Sequence, residues 1–582
     1  MEYFRVPAVV FASLAAGGAD ETGVLREGQL SKRRLLLHTV RRSIETSSPT
    51  VAEDARLAAG WALLADALKA APHEVDRLLL HPAVGDWGMH ALRRLHGGAS
   101  PAEVADDAGY LNGIVAAAVL RAGTTGEIPV RVRADGSVPL PGAGLFEGLG
   151  QRRWLTVHVE NGVARLRDAD ETTWRPLRDL QSVAEGHRIG VTIDDLDPHR
   201  IPEELPIGGR LSDAAATHWQ ACLDDAWSLL VRRHPDRALS IARDITCLAP
   251  LLVTPGEPSV SASSGDSVGG IALTEPLDGQ HMAEALVHEH AHNKLWSLLS
   301  HFRLVEPSDA VFYAPWRTDP RPAPGLLQGA YAHLNLVAYW EIERWQASGD
   351  AARLAHFEFA RWRDAVDVVL GSLLESGALT ELGVEFVRGM RRALEPLLRA
   401  PVPALALELA EDAQRENCIG WRLRNLHTDP DDLRAVASAW REHRPYPAGT
   451  VPRARPVPGS RASWTSGRRR LARERLLGNP AATVEHADGL RPADLAYADG
   501  KHADAAELYA QAVVRSAAPV DAWTGLALAH HQLGTPVAAT LIAHPELIRE
   551  LHDTLRSDGV PDPHRLAEWV SDGLTAPPVH LG

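Results

Sequence analysis

The chain has 582 residues, more than one compact core accommodates, so we expect about two to four domains. Its net charge of -15 argues against a general nucleic-acid binder, which usually carries a basic excess. Its three cysteines (Cys222, Cys247 and Cys418) are odd in number, far apart and without a C-x-x-C pair, so they support neither a disulfide framework nor a cysteine zinc ribbon. No run reaches the roughly 18 to 20 apolar residues of a membrane span, and the apolar segment 6–16 lacks the basic flank of a signal peptide. We therefore predict a cytoplasmic protein that binds neither membrane nor nucleic acid.

Apolar spacing of three to four residues predicts helices in the first 125 residues, at 33–44, 52–71 and 111–122. Ser100, Pro101 and Glu103 predict a further helix start, as N-cap, first-turn proline and capping-box acid. From about residue 126 the pattern alternates instead. Two alternating segments, 154–159 and 163–166, flank Asn161-Gly162, which is a strong short-range hairpin signal. The sequence therefore predicts N-terminal helices followed by a small antiparallel sheet near 128–195.

The middle of the chain returns to helices. Periodicity predicts a helix at 214–233, a β-like stretch at 239–253, a short strand at 271–273, a long helix at 279–299 and further helices over 325–441. Because the strand at 271–273 runs directly into the long helix, we expect an edge strand before a zincin-like metal helix. The predicted fold class is α+β, mainly α with a small antiparallel β-sheet.

Residues rich in Pro, Gly, Ser and Arg follow, without an apolar period, and predict a linker. Beyond the linker, Ala505, Tyr509, Pro519 and Trp523 roughly match the 34-residue helix-turn-helix repeat, although an ordinary helical hairpin fits equally well. The predicted regions are an N-terminal helical region with a small β-sheet at 1–200, a metal-binding catalytic region at 201–443, a linker at 444–470 and a TPR-like helical tail at 471–582.

The long helix carries the run His288-Glu-His-Ala-His292. His288 and His292 stand at positions i and i+4, so they share one helix face and can reach one metal ion. Glu289 lies where a metallopeptidase keeps its general base. His290 points away from this face and is not predicted to be a ligand.

Two histidines make a weak site, so a third ligand is needed. The compact H-E-x-x-H-x-x-G-x-x-H spacing would supply a third histidine from the same segment, but it is absent after His292. The helix beginning near Gln328 offers His333 as first choice and Glu341 as the alternative.

Several segments resemble the HEXXH-motif family of peptide-modifying enzymes from bacterial gene clusters for ribosomally made peptides. They are 261–263 (SAS), 269–273 (GGIAL), 285–292 (ALVHEHAH), 314–322 (APWRTDPRP) and 327–334 (LQGAYAHL). The resemblance covers roughly 25–440 and is most specific over 260–345. Members of that family are described as Fe(II)- and 2-oxoglutarate-dependent peptide β-hydroxylases.

The resemblance implies Fe(II) as the metal and 2-oxoglutarate as co-substrate. Fe(II) is usually held by two histidines and one carboxylate, so a set made of His288, His292 and His333 departs from the common pattern. A guanidinium suits the distal carboxylate of 2-oxoglutarate, and Arg317 or Arg321 would supply it. Further pocket residues in this interpretation are Tyr313, Gln328 and Ser263. The alternatives are that both arginines are solvated in their loop and that Ser263 only stabilises a turn.

Three functions compete. The first is a peptide β-hydroxylase whose ribosomal precursor peptide adds as a strand beside 269–273, with Glu289 in a supporting role. The second is a zinc metallopeptidase that cleaves a leader peptide and uses Glu289 as general base. The third is a scaffold protein that binds a partner through its C-terminal helices.

Overall fold

The computed structural model describes residues 4–20, 22–151, 153–167, 173–201, 207–252, 259–447, 451–457, 466–479, 490–515 and 520–574. The chain forms two compact units, Met1–Arg303 and Leu304–Gly582. The division falls inside the predicted catalytic region at 201–443, whose limits stay a prediction. Helices dominate and the sheets are small, as the predicted α+β class requires.

The first unit begins with a helical layer that encloses its main apolar core. Its helices are α1 (Ala8–Ala15), α2 (Val24–Ser47), α3 (Pro49–Asp54), α4 (Leu57–Ala70), α5 (Pro72–Leu79), α6 (Pro82–His96), α7 (Pro101–Arg121), α8 (Asp213–Arg233), α9 (Pro235–Asp244) and α10 (Gly279–Leu299). The predicted start of α7 is confirmed: Ser100 and Glu103 form a reciprocal capping box, which satisfies two backbone N–H groups of the first turn.

Eleven short strands follow or interrupt these helices among the described residues of this unit. They are β1 (Gly126–Arg131), β2 (Val138–Leu140), β3 (Gly144–Glu147), β4 (Trp154–Glu160), β5 (Val163–Arg167), β6 (Thr173–Pro176), β7 (Arg178–Ala184), β8 (His187–Ile193), β9 (Cys247–Pro250), β10 (Ser261–Ala262) and β11 (Gly270–Leu273). The predicted β4–β5 hairpin is confirmed, and both turn residues, Asn161 and Gly162, have the positive φ that this turn needs.

The prediction of one sheet near 128–195 is wrong, because its strands enter three sheets. The orders are β1-β4-β5, β2-β3-β6 and β10-β11-β9-β8-β7. The five-stranded sheet is mixed, since β11, β9 and β8 run parallel while β10 and β7 are antiparallel to their neighbours. Strand pairing over distances of 50 residues and more is not written in local periodicity, so the sequence could not assign these strands to sheets.

Two further predictions in this unit are corrected. The β-like stretch at 239–253 is the end of α9 followed by β9, because a continuous apolar run does not distinguish a helix end from a buried strand. The strand at 271–273 is β11, and it is not an edge strand. It pairs with β9 on one side and with β10 on the other, so among the described residues β10 is terminal. A two-residue strand has no periodicity by which to detect it.

The second unit is almost entirely helical and has its own apolar core. Its helices are α11 (Ala323–Gln346), α12 (Gly349–Glu375), α13 (Glu381–Leu398), α14 (Ala404–Asn425), α15 (Pro430–Arg441), α16 (Gly467–Leu476), α17 (Pro492–Ala498), α18 (His502–Arg515), α19 (Val520–Gln532), α20 (Ala538–Ala543), α21 (Pro545–Leu555) and α22 (Pro563–Gly573). Its strands form two pairs, β12 (Val311–Phe312) with β13 (Arg321–Pro322) and β14 (Leu426–Thr428) with β15 (Ala454–Pro456).

The predicted linker at 444–470 stays a prediction, and only part of it lies among the described residues. Residues 454–456 form β15, and the chain from Ser466 onward enters α16. In its described parts the tail is helical as predicted, with α18 packing on α19 and the Tyr509 ring lying against Gly525. The TPR-like repeat stays a prediction, and one of its pattern residues, Pro519, lies outside the described residues. None of the described helices is both long and apolar enough to cross a membrane.

Candidate metal centre

The histidine pair lies on α10, as the motif predicts. The helix begins after Asp278, whose side chain accepts the N–H of His281 at 2.8 Å and caps the first turn. One turn separates His288 from His292, and their ring centroids are 4.9 Å apart with the planes at 81°. Both side chains are half-buried. Burial and the neighbouring His292 lower the pKa of His288 to about 4, so its imidazole is neutral, the form that binds a metal.

Glu289 is buried, and both of its carboxylate oxygens are occupied. Ser261 Oγ donates to Glu289 Oε1 and Ser263 Oγ donates to Glu289 Oε2, each at 2.7 Å. The two serines stand at positions i and i+2 of an extended segment, so their side chains share one face of the sheet. The Ser-Ala-Ser spacing indicates that the two hydroxyls share a face, but local pattern did not show which acidic residue the serines contact. Two serine hydroxyls therefore fix the orientation of Glu289.

His290 faces away from the histidine pair, as predicted. Its Nε2 lies 2.9 Å from Asp244 Oδ2 and 3.4 Å from Ser240 Oγ, both on α9. Burial opposes ionisation of Asp244, but hydrogen bonds from His290 and Arg243 outweigh it and hold the pKa of this carboxyl below its usual range. His290 therefore fastens α10 to α9 inside the first unit.

Asn293 joins α10 to the strand that precedes it. Its Oδ1 accepts the N–H of Gly269 at 2.7 Å, and its Nδ2 donates to the carbonyl of Gly270 at 3.3 Å. Lys294 is also buried and donates to the carbonyls of Gly17 and Gly18 at 3.1 and 2.8 Å. The motif helix is thus held by polar contacts on the faces that do not carry the histidine pair.

The predicted third ligand, His333, lies in the second unit on α11. Its Nδ1 is 2.8 Å from the carbonyl oxygen of Gly329, which can only accept, so Nδ1 carries the proton and Nε2 carries the lone pair. The ring is stacked on Trp316 at 4.2 Å and 15°, and Trp362 lies 4.4 Å away on a tilted plane. A carbonyl that orients the second ring nitrogen is the usual support of a metal-binding histidine. The alternative ligand, Glu341, is ion-paired with Arg344 at 2.6 Å.

The two candidate arginines both contact the carboxylate of Asp319, which was not among the residues predicted from the sequence. Arg317 Nε donates to Asp319 at 2.9 Å, and Arg321 lies 3.5 Å from the same side chain. Burial raises the pKa of Asp319, but the hydrogen bond and charge of Arg317 outweigh it and the net shift is downward. The spacing Arg-x-Asp-x-Arg in an extended loop was the available signal. A co-substrate carboxylate would have to compete with Asp319 for either guanidinium.

The remaining predicted pocket residues are also in the second unit. Tyr313 follows β12, and its hydroxyl donates to Asn417 at 3.3 Å. Gln328 is buried on α11. A cavity of about 490 Å³ lies within this unit, and of the predicted site residues Arg317 lines it, beside Trp316.

Gly329 sets how closely Trp316 approaches His333. A Cβ on Gly329 would lie 2.4 Å from Trp316 Nε1, so Gly329→Ala forces the indole to move. We expect a loss of about 1–3 kcal/mol of unfolding free energy, measured by denaturant unfolding. Gly371→Ala is the matched control, because Gly371 lies inside α12 with no atom within 4 Å of its added Cβ. It should stabilise by about 0.5–1 kcal/mol. Equal effects of the two substitutions would contradict the tight packing of Trp316 on α11.

No protein-family model matches the chain, and no curated protein matches it. The resemblance to peptide hydroxylases therefore stays a prediction from the motif segments.

Proposed function

We propose that the chain is an Fe(II)- and 2-oxoglutarate-dependent peptide β-hydroxylase, with His288 and His292 as two of the metal ligands. The substrate is a ribosomally made precursor peptide, modified in the cytoplasm. The motif segments over 260–345 support this proposal, and so does the pair of neighbouring imidazoles on one face of α10.

The arrangement of Glu289 carries the proposal. A metallopeptidase needs this carboxylate to take a proton from a metal-bound water, so its oxygens must face that water. Here each oxygen accepts a short hydrogen bond from a serine hydroxyl, at 2.7 Å. A carboxylate held in this way is suited to orienting the helix and its neighbouring ligands, which is the supporting role expected in a hydroxylase.

The donor set fits Fe(II), because neutral imidazole nitrogens are good ligands for it. For the third ligand we favour His333 over Glu341. The Nδ1 proton of His333 is committed to the Gly329 carbonyl, whereas Glu341 already neutralises the buried Arg344. Arg317 or Arg321 would hold the distal carboxylate of 2-oxoglutarate.

Bound iron and 2-oxoglutarate supply the oxidising power: one oxygen atom of O2 enters a peptide C–H bond, the other enters succinate, and CO2 leaves. Strand addition of the peptide is better placed at β10 than beside 269–273, because β11 is paired on both sides. The C-terminal helices are a proposed docking site for a protein partner.

The test is a reaction with the peptide encoded beside the gene. Protein purified without oxygen is supplied with Fe(II), 2-oxoglutarate and O2, and the peptide is examined by mass spectrometry. We expect a gain of one oxygen atom and an equal amount of succinate. Cleavage of the peptide with zinc, without any need for 2-oxoglutarate, would show a leader peptidase instead.

Glu289→Gln separates the same two functions by rate. The amide keeps the shape of the side chain and can still bond both serines, so we expect hydroxylation to fall by less than about 10-fold. Loss of a general base costs on the order of 10²–10⁴-fold. A loss of that size, with metal content unchanged, would contradict a supporting role for Glu289.

A further inference from the structure

A second group of metal-ligand side chains lies in the first unit. His81, Asp194 and Cys247 each offer one ligand atom, and these atoms all lie within 4.8 Å of one another. All three side chains are buried, with exposures of 4%, 0% and 1%. In the sequence Cys247 is an isolated cysteine, because its neighbours in space are distant from it along the chain.

The five-stranded sheet brings two of these side chains to the same face. Strands β8 and β9 run parallel, with Thr192 opposite Cys247. Asp194 stands two residues beyond Thr192, and its N–H donates to Leu248 at 2.9 Å, so its side chain lies on the same face as Cys247. His81 reaches them from the position before α6.

The carboxylate of Asp194 is aimed at the cluster. Its Oδ1 accepts the N–H groups of Leu196 and Asp197 at 3.2 and 2.8 Å. Its Oδ2 lies 3.8 Å from His81 Nε2, too far for a hydrogen bond. Among the described residues, neither this oxygen nor either ring nitrogen of His81 has a hydrogen-bond partner. Buried polar atoms rarely stay unsatisfied, because each costs about 1–3 kcal/mol.

Two buried carboxylates, Asp194 and Asp197, lie at the cluster. Asp197, also buried, accepts hydrogen bonds from the hydroxyl of Tyr110 at 3.0 Å. The nearby guanidinium of Arg200 donates to the backbone carbonyls of Asp197 and Gly208, not to either carboxylate. A divalent ion bound by one carboxylate, one thiolate and one neutral imidazole gives a cluster without net charge.

We propose that His81, Asp194 and Cys247 form a second metal site that binds Zn²⁺ or a similar divalent ion of moderate softness. Mixed nitrogen, sulfur and oxygen donors fit zinc, whereas Mg²⁺ and Ca²⁺ prefer oxygen alone. On binding, the Cys247 thiol releases its proton to solvent as the metal–sulfur bond forms, and a water molecule takes the fourth position. The ion fastens the segment before α6 to β8 and β9, a structural role separate from hydroxylation.

Cobalt(II) tests the proposal, because a cobalt–thiolate bond has a charge-transfer absorption in the near ultraviolet and a histidine-only site has none. The full chain with His288→Ala and His292→Ala lacks the α10 site, and this variant is titrated with Co²⁺. We expect the band in this variant and in the wild type. Cys247→Ser should abolish it, while Cys222→Ser, the matched control at a buried cysteine of α8, should keep it. No band in the wild type, or a band that depends on Cys222, would overturn the proposal.

A stability measurement covers the case in which Cys247→Ser does not fold. Added zinc should raise the unfolding temperature of the His288→Ala, His292→Ala chain, because a ligand that binds only the folded state stabilises it. Asp194→Asn keeps the side-chain shape and should remove that increase. An equal increase in both proteins would refute the site, and this outcome is independent of whether the chain hydroxylates a peptide.

Discussion

Replacing His288 or His292 by alanine is expected to abolish metal binding at α10. The two rings lie 4.9 Å apart on one face of the helix, and removal of either leaves the ion with one imidazole from this helix. Loss of a residue that merely orients a ligand weakens binding about 10–100-fold, so loss of a ligand itself should weaken it by at least about 100-fold. The measurement is Fe(II) affinity under anaerobic conditions, followed by metal analysis of the dialysed protein.

The control for this prediction is His281→Ala. His281 is exposed on the first turn of the same helix, and its ring pairs only loosely with Asp278 at 3.5 Å. Its replacement should leave Fe(II) affinity within about twofold, because surface substitutions have small effects. If the His281 variant lost iron as fully as the His288 variant, binding would depend on the general integrity of α10 and not on the pair.

Arg468→Ala is expected to destabilise the second unit strongly. Arg468 is 5% exposed and donates to Glu416 at 2.8 Å and to Asp494 at 2.9 Å. Both acids are buried as well, so the substitution leaves two buried carboxylates that have lost a shared cationic partner. Breaking a buried ion pair from one side costs about 3–5 kcal/mol. Denaturant unfolding of the full chain, with separate transitions resolved for the two units, measures this loss.

Arg470→Ala is the matched control, since Arg470 is exposed on the same helix, α16. It should change the unfolding free energy by less than about 0.5 kcal/mol. A small effect of Arg468→Ala, similar to that of the control, would mean that water reaches Glu416 and Asp494 and that the network contributes little to stability.

Local sequence pattern predicted the parts of the fold that local interactions determine. The start of α7 followed from Ser100 and Glu103, and the β4–β5 hairpin from Asn161-Gly162, because caps and tight turns depend on residues close in the chain. The histidine pair on α10 was equally accessible, since a spacing of four fixes a shared helix face.

Features formed by residues far apart in the chain could not be predicted from local sequence pattern. Strand β10 has two residues and exists only because it pairs with β11. Arg468 lies in a stretch whose composition indicates a linker, yet its charge is buried because Glu416 and Asp494 come from other helices. Cys247 and Asp194 are 53 positions apart by their numbers, and the parallel pairing of β8 with β9 brings them to one face of the sheet.

The same distinction between local and distant interactions applies to the candidate site. The sequence places Glu289 beside the predicted metal ligands, but its two serine partners depend on a strand pairing that the local pattern did not contain. Sequence also selected Arg317 and Arg321 for their charge and missed Asp319 between them, because it weighed each residue alone.

The origin of the oxygen in the product tests the central claim most directly. The purified chain, loaded with Fe(II) and 2-oxoglutarate, is supplied with dioxygen enriched in a heavy isotope, and both peptide and succinate are examined by mass spectrometry. We predict one heavy atom in the peptide and one in succinate, with no label in the variant that lacks His288 and His292. Unlabelled product whose new oxygen comes from isotope-enriched water, at a cleaved peptide bond, would contradict the account.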